Sequence, residues 1–186
     1  MSYITIRQAT REDIKDILEI YGYYTLNTAI SFEYETPTLE EFTKRFENIS
    51  SKFPYLVAVA ENEENGHPHE SKGKIVGYAY GNTLIARAAY DYCAELTIYL
   101  DPDMRKCGIG KMLYTELEKQ LAEQGIKNLY ACVGSPIEED EYLTNNSEQF
   151  HEHLGFKRNG LFYKCGYKFG RWYNMIWMEK IIGEHE

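Results

Sequence analysis

Residues 92–111 read YCAELTIYLDPDMRKCGIGK, and the folding of this stretch decides the folding of the chain. Its first half, CAELTIYL at 93–100, is rich in β-branched and aromatic residues and stops at Asp101-Pro102, which reads as a strand with a hard end. Arg105 and Lys106 follow, then Gly108 and Gly110. Next comes KMLYTELEKQLAEQ at 111–124, whose apolar residues recur at helical spacing. Strand, glycine turn and helix start together form an anion site. Glycines let the main chain approach the ligand, and the first N–H groups of a helix lack an intrahelical acceptor. The helix dipole and flanking cations add attraction. Residues 105–111 are therefore expected to hold a phosphate-bearing ligand.

Charge sharpens that expectation. Twenty basic against twenty-nine acidic side chains give the chain a net charge of −9. A surface of that sign disfavours nucleic acid and anionic membranes, so the local cluster of Arg105, Lys106 and Lys111 stands out. A length of 186 residues suits one domain spanning 1–186, and an apolar fraction of 44% suits a packed core. No apolar run approaches the ~20 residues of a membrane span, and the first residues contain no signal-like apolar stretch. No membrane association and a cytoplasmic location are the expectation. Cys93, Cys107, Cys132 and Cys165 are widely spaced and read as reduced thiols. No metal is expected: His67 and His69 lie in a polar stretch, His151 and His153 are two apart on a helix, and no H-E-x-x-H occurs.

Working outward, residues 3–8 read as a strand, and Thr10 with Asp13 as the cap of a helix carrying Ile14, Ile17, Leu18 and Tyr21. Pro37-Thr38 opens a second helix through Leu39, Phe42, Phe46 and Ile49. Tyr55–Ala60 and Ile75–Tyr80 read as paired strands around an exposed polar loop, ENEENGHPHESKG. After the glycine turn, Met112, Leu113, Leu117 and Leu121 define the buried face of a helix stopped at Gly125. A strand at 128–133, a helix from Thr144 to Leu154 stopped by Gly155, and two strands around Gly166 and Gly170 complete the chain. The predicted class is mixed α/β: a twisted, mostly antiparallel sheet of about seven strands flanked by about four helices.

Two common phosphate loops do not fit. Gly110-Lys111 is followed by Met112, which breaks G-x-x-x-x-G-K-[ST], and Leu113 breaks G-x-G-x-x-G. What remains is R-K-C-G-I-G, a form of [RQ]-x-x-G-x-[GA]. Set between strand and helix, it resembles the pyrophosphate turn of the GNAT superfamily of N-acetyltransferases. The resemblance extends over ITIRQAT, REDIKDILEIYG, SFEYETPTLEEF, RAAYDYCAELTIYL, FHEHLGF and GYKFGRWYNMIWMEK. These segments are similar to the phosphinothricin (amino-acid) acetyltransferase branch. The resemblance implies acetyl-CoA as co-substrate, with its pyrophosphate on the backbone of Arg105, Lys106, Cys107, Gly108, Ile109, Gly110 and Lys111. It places the pantetheine arm along Ile98, Tyr99 and Leu100, and it implies a homodimer, for which WYNMIWMEKII is a candidate interface or an interior strand.

Acetylating an amine requires a proton acceptor, because only the neutral amine attacks. Alternation in 93–100 puts Leu96, Ile98 and Leu100 on one face and Glu95, Thr97 and Tyr99 on the other. A mid-strand glutamate is disfavoured by propensity and burial, so Glu95 is either a solvent-facing residue or a functional one. The resemblance implies the general base. It likewise puts His151 where a general acid would protonate the departing thiolate, while a local hydrogen-bonding role stays open. The branch's Asn position on the CoA side holds Thr144, with Asn145 beside it as the residue taken to fill the role. Arg87 and Tyr90 match acceptor-lining positions, Arg suiting a carboxylate through its planar fork. Ile85 stands where herbicide-detoxifying members carry a basic residue, which points away from a strict phosphinate acceptor and toward methionine sulfone, sulfoximine or another small α-amine. Phe32, Tyr34, Tyr163, Tyr167 and Lys168 either complete the pocket or pack the core. Direct attack on the thioester is expected rather than an acyl-enzyme. Acetylation of a protein N-terminus and a non-catalytic acyl-CoA-binding module are the rival readings.

Overall fold

The computed structural model describes residues 2–64, 67–68, 73–104 and 107–185. Its strands are β1 (Ser2–Gln8), β2 (Tyr55–Glu64), β3 (His67–Pro68), β4 (Lys74–Thr83), β5 (Cys93–Leu100), β6 (Asn128–Ser135), β7 (Lys157–Lys168) and β8 (Arg171–Ile181). The α-helices are α1 (Ile14–Asn27), α2 (Leu39–Ser50), α3 (Ile109–Glu123) and α4 (Asn146–His153). Seven strands follow the path β1-β2-β4-β5-β6-β8-β7, and the two-residue β3 folds back on β2. All pairs on that path are antiparallel except β5–β6. The mixed, mostly antiparallel sheet with four helices is the predicted architecture.

Local chemistry sets the element ends. Thr38 caps α2: its Oγ1 accepts from the Glu41 N–H at 3.2 Å, and Glu41 Oε2 accepts from the Thr38 N–H at 2.9 Å. The turns after α3 and α4 need positive φ, supplied by Gly125 at 88° and Gly155 at 90°. Near Thr10 the chain first makes a short 3₁₀ turn, Arg11–Asp13. There the buried Asp13 carboxylate accepts from the Thr10 N–H and, at 2.7 and 2.9 Å, from the Arg7 guanidinium. The expected loop between β2 and β4 is partly strand, since β2 runs on to Glu64 and β3 pairs with it.

Apolar alternation divides the core in two. On one face Ile109, Leu113, Leu117 and Leu121 of α3 cover Leu56, Ala94, Leu96 and Ile176. On the other, Ile14 and Ile17 of α1 with Phe42 and Phe46 of α2 cover Tyr55, Val57 and Tyr78. Met112 corrects the predicted α3 face. It is 41% exposed, because the inward stripe repeats every four residues from Ile109 and Tyr114 flanks it instead. Helix α4 begins at Asn146, two residues later than predicted. The WYNMIWMEKII segment forms β8, an interior strand between β6 and β7, so the sheet edge is β7. Among the described residues no helix is long and apolar enough to cross a membrane.

One feature of the sheet positions the site. The parallel pairing of β5 and β6 runs only from Cys93↔Asn128 to Leu96↔Ala131. Beyond it the two strands diverge, and the segment after α1 crosses the gap, with the Ala29 N–H donating to the Tyr142 carbonyl at 3.0 Å.

Candidate active site

A cavity of about 500 Å³ opens where β5 and β6 part. Glu95, Thr97 and Tyr99 line it from β5, Cys132 and Gly134 from β6, and Tyr21, Ser31 and Glu33 from α1 and the crossing segment. A second cavity of about 290 Å³, walled by Leu100, Phe150 and Asn146, shares Ile98, Tyr99 and Ser147 with the first, so the two form one cleft. Alternation along β5 explains how one strand serves both jobs: Leu96 enters the α3 core while Glu95 remains in the cleft. Burial alone pushes the Glu95 carboxyl above its ordinary value. That moves a carboxylate toward the range of a useful proton acceptor.

The same surroundings quiet the neighbouring thiol. Cys132 reaches the surface of the cleft, yet desolvation by the surrounding walls and then the Glu95 charge push it up to about 12, so it stays a thiol rather than a nucleophilic thiolate. His151 is buried, and burial lowers its pKa. Its Nδ1 lies 2.7 Å from the Ser147 carbonyl and its Nε2 3.0 Å from the Tyr114 hydroxyl. A carbonyl only accepts, so Nδ1 carries the proton; the neutral ring then accepts from Tyr114 through Nε2. Both ring nitrogens are thereby engaged within the protein.

The glycine turn is built for close approach. Gly108 adopts φ 79°, and a Cβ there would meet nothing within 4 Å, leaving its face open. Gly110 is required for packing, since a Cβ would lie 2.9 Å from the Phe150 ring. The first helical hydrogen bond of α3 is Met112 N–H to the Gly108 carbonyl, so the N–H groups of Ile109, Gly110 and Lys111 have no acceptor inside the helix. An open turn, helix-start amides without an intrahelical acceptor and a stretch of β5 no longer paired with β6 suit a long ligand with a diphosphate at one end and amides along its arm.

The acetyltransferase (GNAT) domain model matches residues 6–177. The chain belongs to the GNAT acetyltransferases. It is 31% identical over 172 residues to a phosphinothricin N-acetyltransferase of Streptomyces viridochromogenes, covering 92% of this chain and 84% of that one. It is 27% identical to an L-methionine sulfoximine/L-methionine sulfone acetyltransferase of Salmonella typhimurium, covering 98% and 96%. Among solved structures it is similar to a phosphinothricin acetyltransferase from Sinorhizobium meliloti in complex with AcCoA, with a TM-score of 0.83, 32% identity, and coverage of 97% and 89%. The chain is thus an N-acetyltransferase.

In this GNAT acetyltransferase the expected residues separate into groups. Glu95, Ile98, Tyr99, Leu100, Phe32 and His151 all line the cleft. Cys107 to Lys111 form the turn and the start of α3, while Arg105 and Lys106 lie outside the described residues. Asn145 is not among the lining residues; it takes the cap position of α4, its N–H donating to Glu139 at 2.7 Å, and its neighbours Thr144 and Asn146 line the second cavity. Arg87 and Tyr90 do not line the cleft either. They sit between β4 and β5, at the end where β5 and β6 are still paired, and Tyr90 lines a separate cavity of about 240 Å³ with Lys52 and Gln124. Among the described residues that line the cleft, none is Lys or Arg. Sequence reading missed Tyr114, Thr97, Glu33 and Cys132 as cleft residues. Tyr114 reads as one more apolar residue of α3, and only the SFEYE segment carried a signal, through the resemblance.

Proposed function

We propose that this GNAT acetyltransferase moves the acetyl group of acetyl-CoA to the α-amine of a small amino-acid-like acceptor, with Glu95 as general base. The observation that carries the reading is a half-buried carboxylate with a raised pKa lining the larger cavity, on the strand whose Ile98 and Tyr99 are shared with the second cavity. The acceptor occupies the larger cavity. Acetyl-CoA lies along Ile98–Leu100, with its diphosphate on the Cys107–Lys111 amides and Thr144 and Asn146 beside its arm. The amine nitrogen forms a bond to the thioester carbonyl carbon as the C–S bond breaks. Its proton passes to Glu95, and sulfur leaves as a thiolate, which needs little help because a free thiol has a pKa of only ~8.5. His151 and Tyr114 hold each other at the cleft wall rather than donate a proton.

Hydroxyls of Tyr21, Ser31 and Thr97, with no Lys or Arg among the described lining residues, favour a neutral polar side group on the acceptor. A sulfone or sulfoximine is therefore favoured over a phosphinate. The proposal includes a cytoplasmic location and a homodimer. For the dimer, Leu161, Phe162 and Tyr163 are exposed on the edge strand β7, and light scattering tests it. The central experiment measures CoA release across amino acids and their sulfone, sulfoximine and phosphinic analogues. Turnover of the neutral analogues is expected; no turnover of any α-amine overturns the reading.

A further inference from the structure

A buried cation sits at the tip of the β7–β8 hairpin, outside the residues that line the cleft. Lys168 is 2% exposed. Its ammonium donates to the Thr25 carbonyl in the last turn of α1 at 2.7 Å and to the Ser31 carbonyl at 2.6 Å. A lysine stays out of water only where hydrogen bonds compensate, and an apolar side chain of similar volume would fill the space more simply. These two bonds tie the end of α1 and the segment after it to β7. Helix α1 packs on the half of the sheet that contains β2 and β4, β7 closes the other half, and Ser31 lies on the segment crossing between them. Along the sheet, four residue pairs of β5 and β6 join the halves, all at the closed end of the cleft.

Neighbours of Lys168 grip the same segment. A Cβ on Gly166 would lie 2.5 Å from the Phe32 ring, so the strand and the ring are in close contact. The Tyr34 hydroxyl donates to the Tyr167 carbonyl. What is held there reaches the cleft directly: Ser31 Oγ is 3.1 Å from the Tyr21 hydroxyl and accepts from the Glu33 N–H at 3.3 Å. Tyr21, Ser31, Phe32 and Glu33 all line the larger cavity.

We propose that Lys168 is a positioning residue for acceptor recognition: by tying the Thr25 and Ser31 carbonyls to β7 it sets the acceptor wall across the open end of the cleft, touching neither substrate. The proposal rests on the reading of the larger cavity as the acceptor site. Two variants approach it from different contacts. Lys168→Met removes both donors, and Gly166→Ala displaces Phe32 from the opposite side. With an amine that the wild-type protein acetylates, each variant is expected to raise the amine KM by on the order of tenfold or more. Calorimetric Kd for acetyl-CoA is expected to stay within about twofold, the cofactor contacts lying on other elements, and kcat to change less than KM. Amide exchange over residues 28–34 is expected to accelerate in Lys168→Met. A general loss of packing would instead weaken acetyl-CoA and amine in proportion, and that result overturns the proposal, as does an unchanged amine KM in folded variants. If the wild-type protein turns over no amine, the acceptor reading fails by itself. The clamp is then judged by exchange, and unchanged protection over 28–34 rejects it.

Discussion

On the proposed reading, the cofactor side of the cleft rests mainly on β5 and the turn that follows it, with α4 beside them, while the acceptor side is assembled from elements scattered along the chain. Residues 98–100 form a strand paired with β4 but no longer with β6, and residues 107–111 form an open turn and helix start, offering mainly backbone groups. The acceptor wall takes Tyr21 from α1, Ser31 and Glu33 from the crossing segment, Thr97 from β5, Cys132 from β6 and Met175 from β8. Backbone recognition of a constant ligand needs only a local conformation. Recognition of a particular amine needs side chains brought together at a distance, and these are free to vary without disturbing the turn. Glu95 lines the larger cavity from the strand that also carries Ile98, Tyr99 and Leu100.

The largest expected effect comes from removing that carboxylate. Glu95→Gln is expected to lower kcat by ~10²- to 10⁴-fold with acetyl-CoA affinity retained by calorimetry, separating chemistry from cofactor binding. Because burial raises the Glu95 carboxyl, wild-type activity that needs the carboxylate is lost as pH falls, and at a higher pH than an ordinary glutamate (~4.3) would dictate. The stability sign is opposite. The fold favours the protonated form, so that contribution is present below the unfolded pKa and lost as pH rises through the folded one. Glu95→Gln, neutral throughout, should therefore melt no lower than the wild-type protein at neutral pH. A flat rate profile across about pH 6 to 9 in which the variant matches the wild-type protein removes Glu95 from the mechanism.

The next effect probes the cofactor side alone. Gly110→Ala forces a Cβ against Phe150, and overpacking of that kind costs about 1–3 kcal/mol. If the strain is relieved by moving the turn, acetyl-CoA binding weakens on the order of tenfold while the rank order of amines is unchanged. A reordered amine preference would show that the two regions are not separable. A smaller kinetic effect is expected from Tyr114→Phe, which leaves the buried Nε2 of His151 without its donor. Stability should drop by ~1–3 kcal/mol in denaturant melts while turnover falls less than about tenfold. A drop in turnover rivalling that of Glu95→Gln would make the pair a proton-transfer couple. The smallest change lies off the cleft: Thr38→Ala removes the α2 cap and should cost ~1 kcal/mol with both Michaelis constants unaltered.

Much of the fold was legible in order and period. The strand at 93–100 has the bounds read from CAELTIYL, and the glycine turn opens α3 as its residues imply. Closeness along the chain is not closeness at the cleft. Arg87 and Tyr90 are close to Glu95 in the chain, yet the intact β5–β6 pairing closes that end of the sheet. Asn145 sits just before α4 with no side-chain capping bond and is not among the lining residues, while its neighbours Thr144 and Asn146 are. Lys168, open between pocket and core in the sequence, is buried outside the lining residues, and its partners are main-chain carbonyls that no side-chain pattern announces.

The sequence by itself determined the strand–turn–helix with its open amides, the element order, and a glutamate where a strand would ordinarily exclude one. Each of these depends on neighbours a few residues apart, where steric and periodic rules act directly. Only the tertiary structure decided where β5 and β6 separate, which side chains wall the acceptor space, and that a lysine more than a hundred residues from α1 holds its last turn. Those outcomes depend on which distant surfaces pack together, and no local preference along the chain encodes that choice.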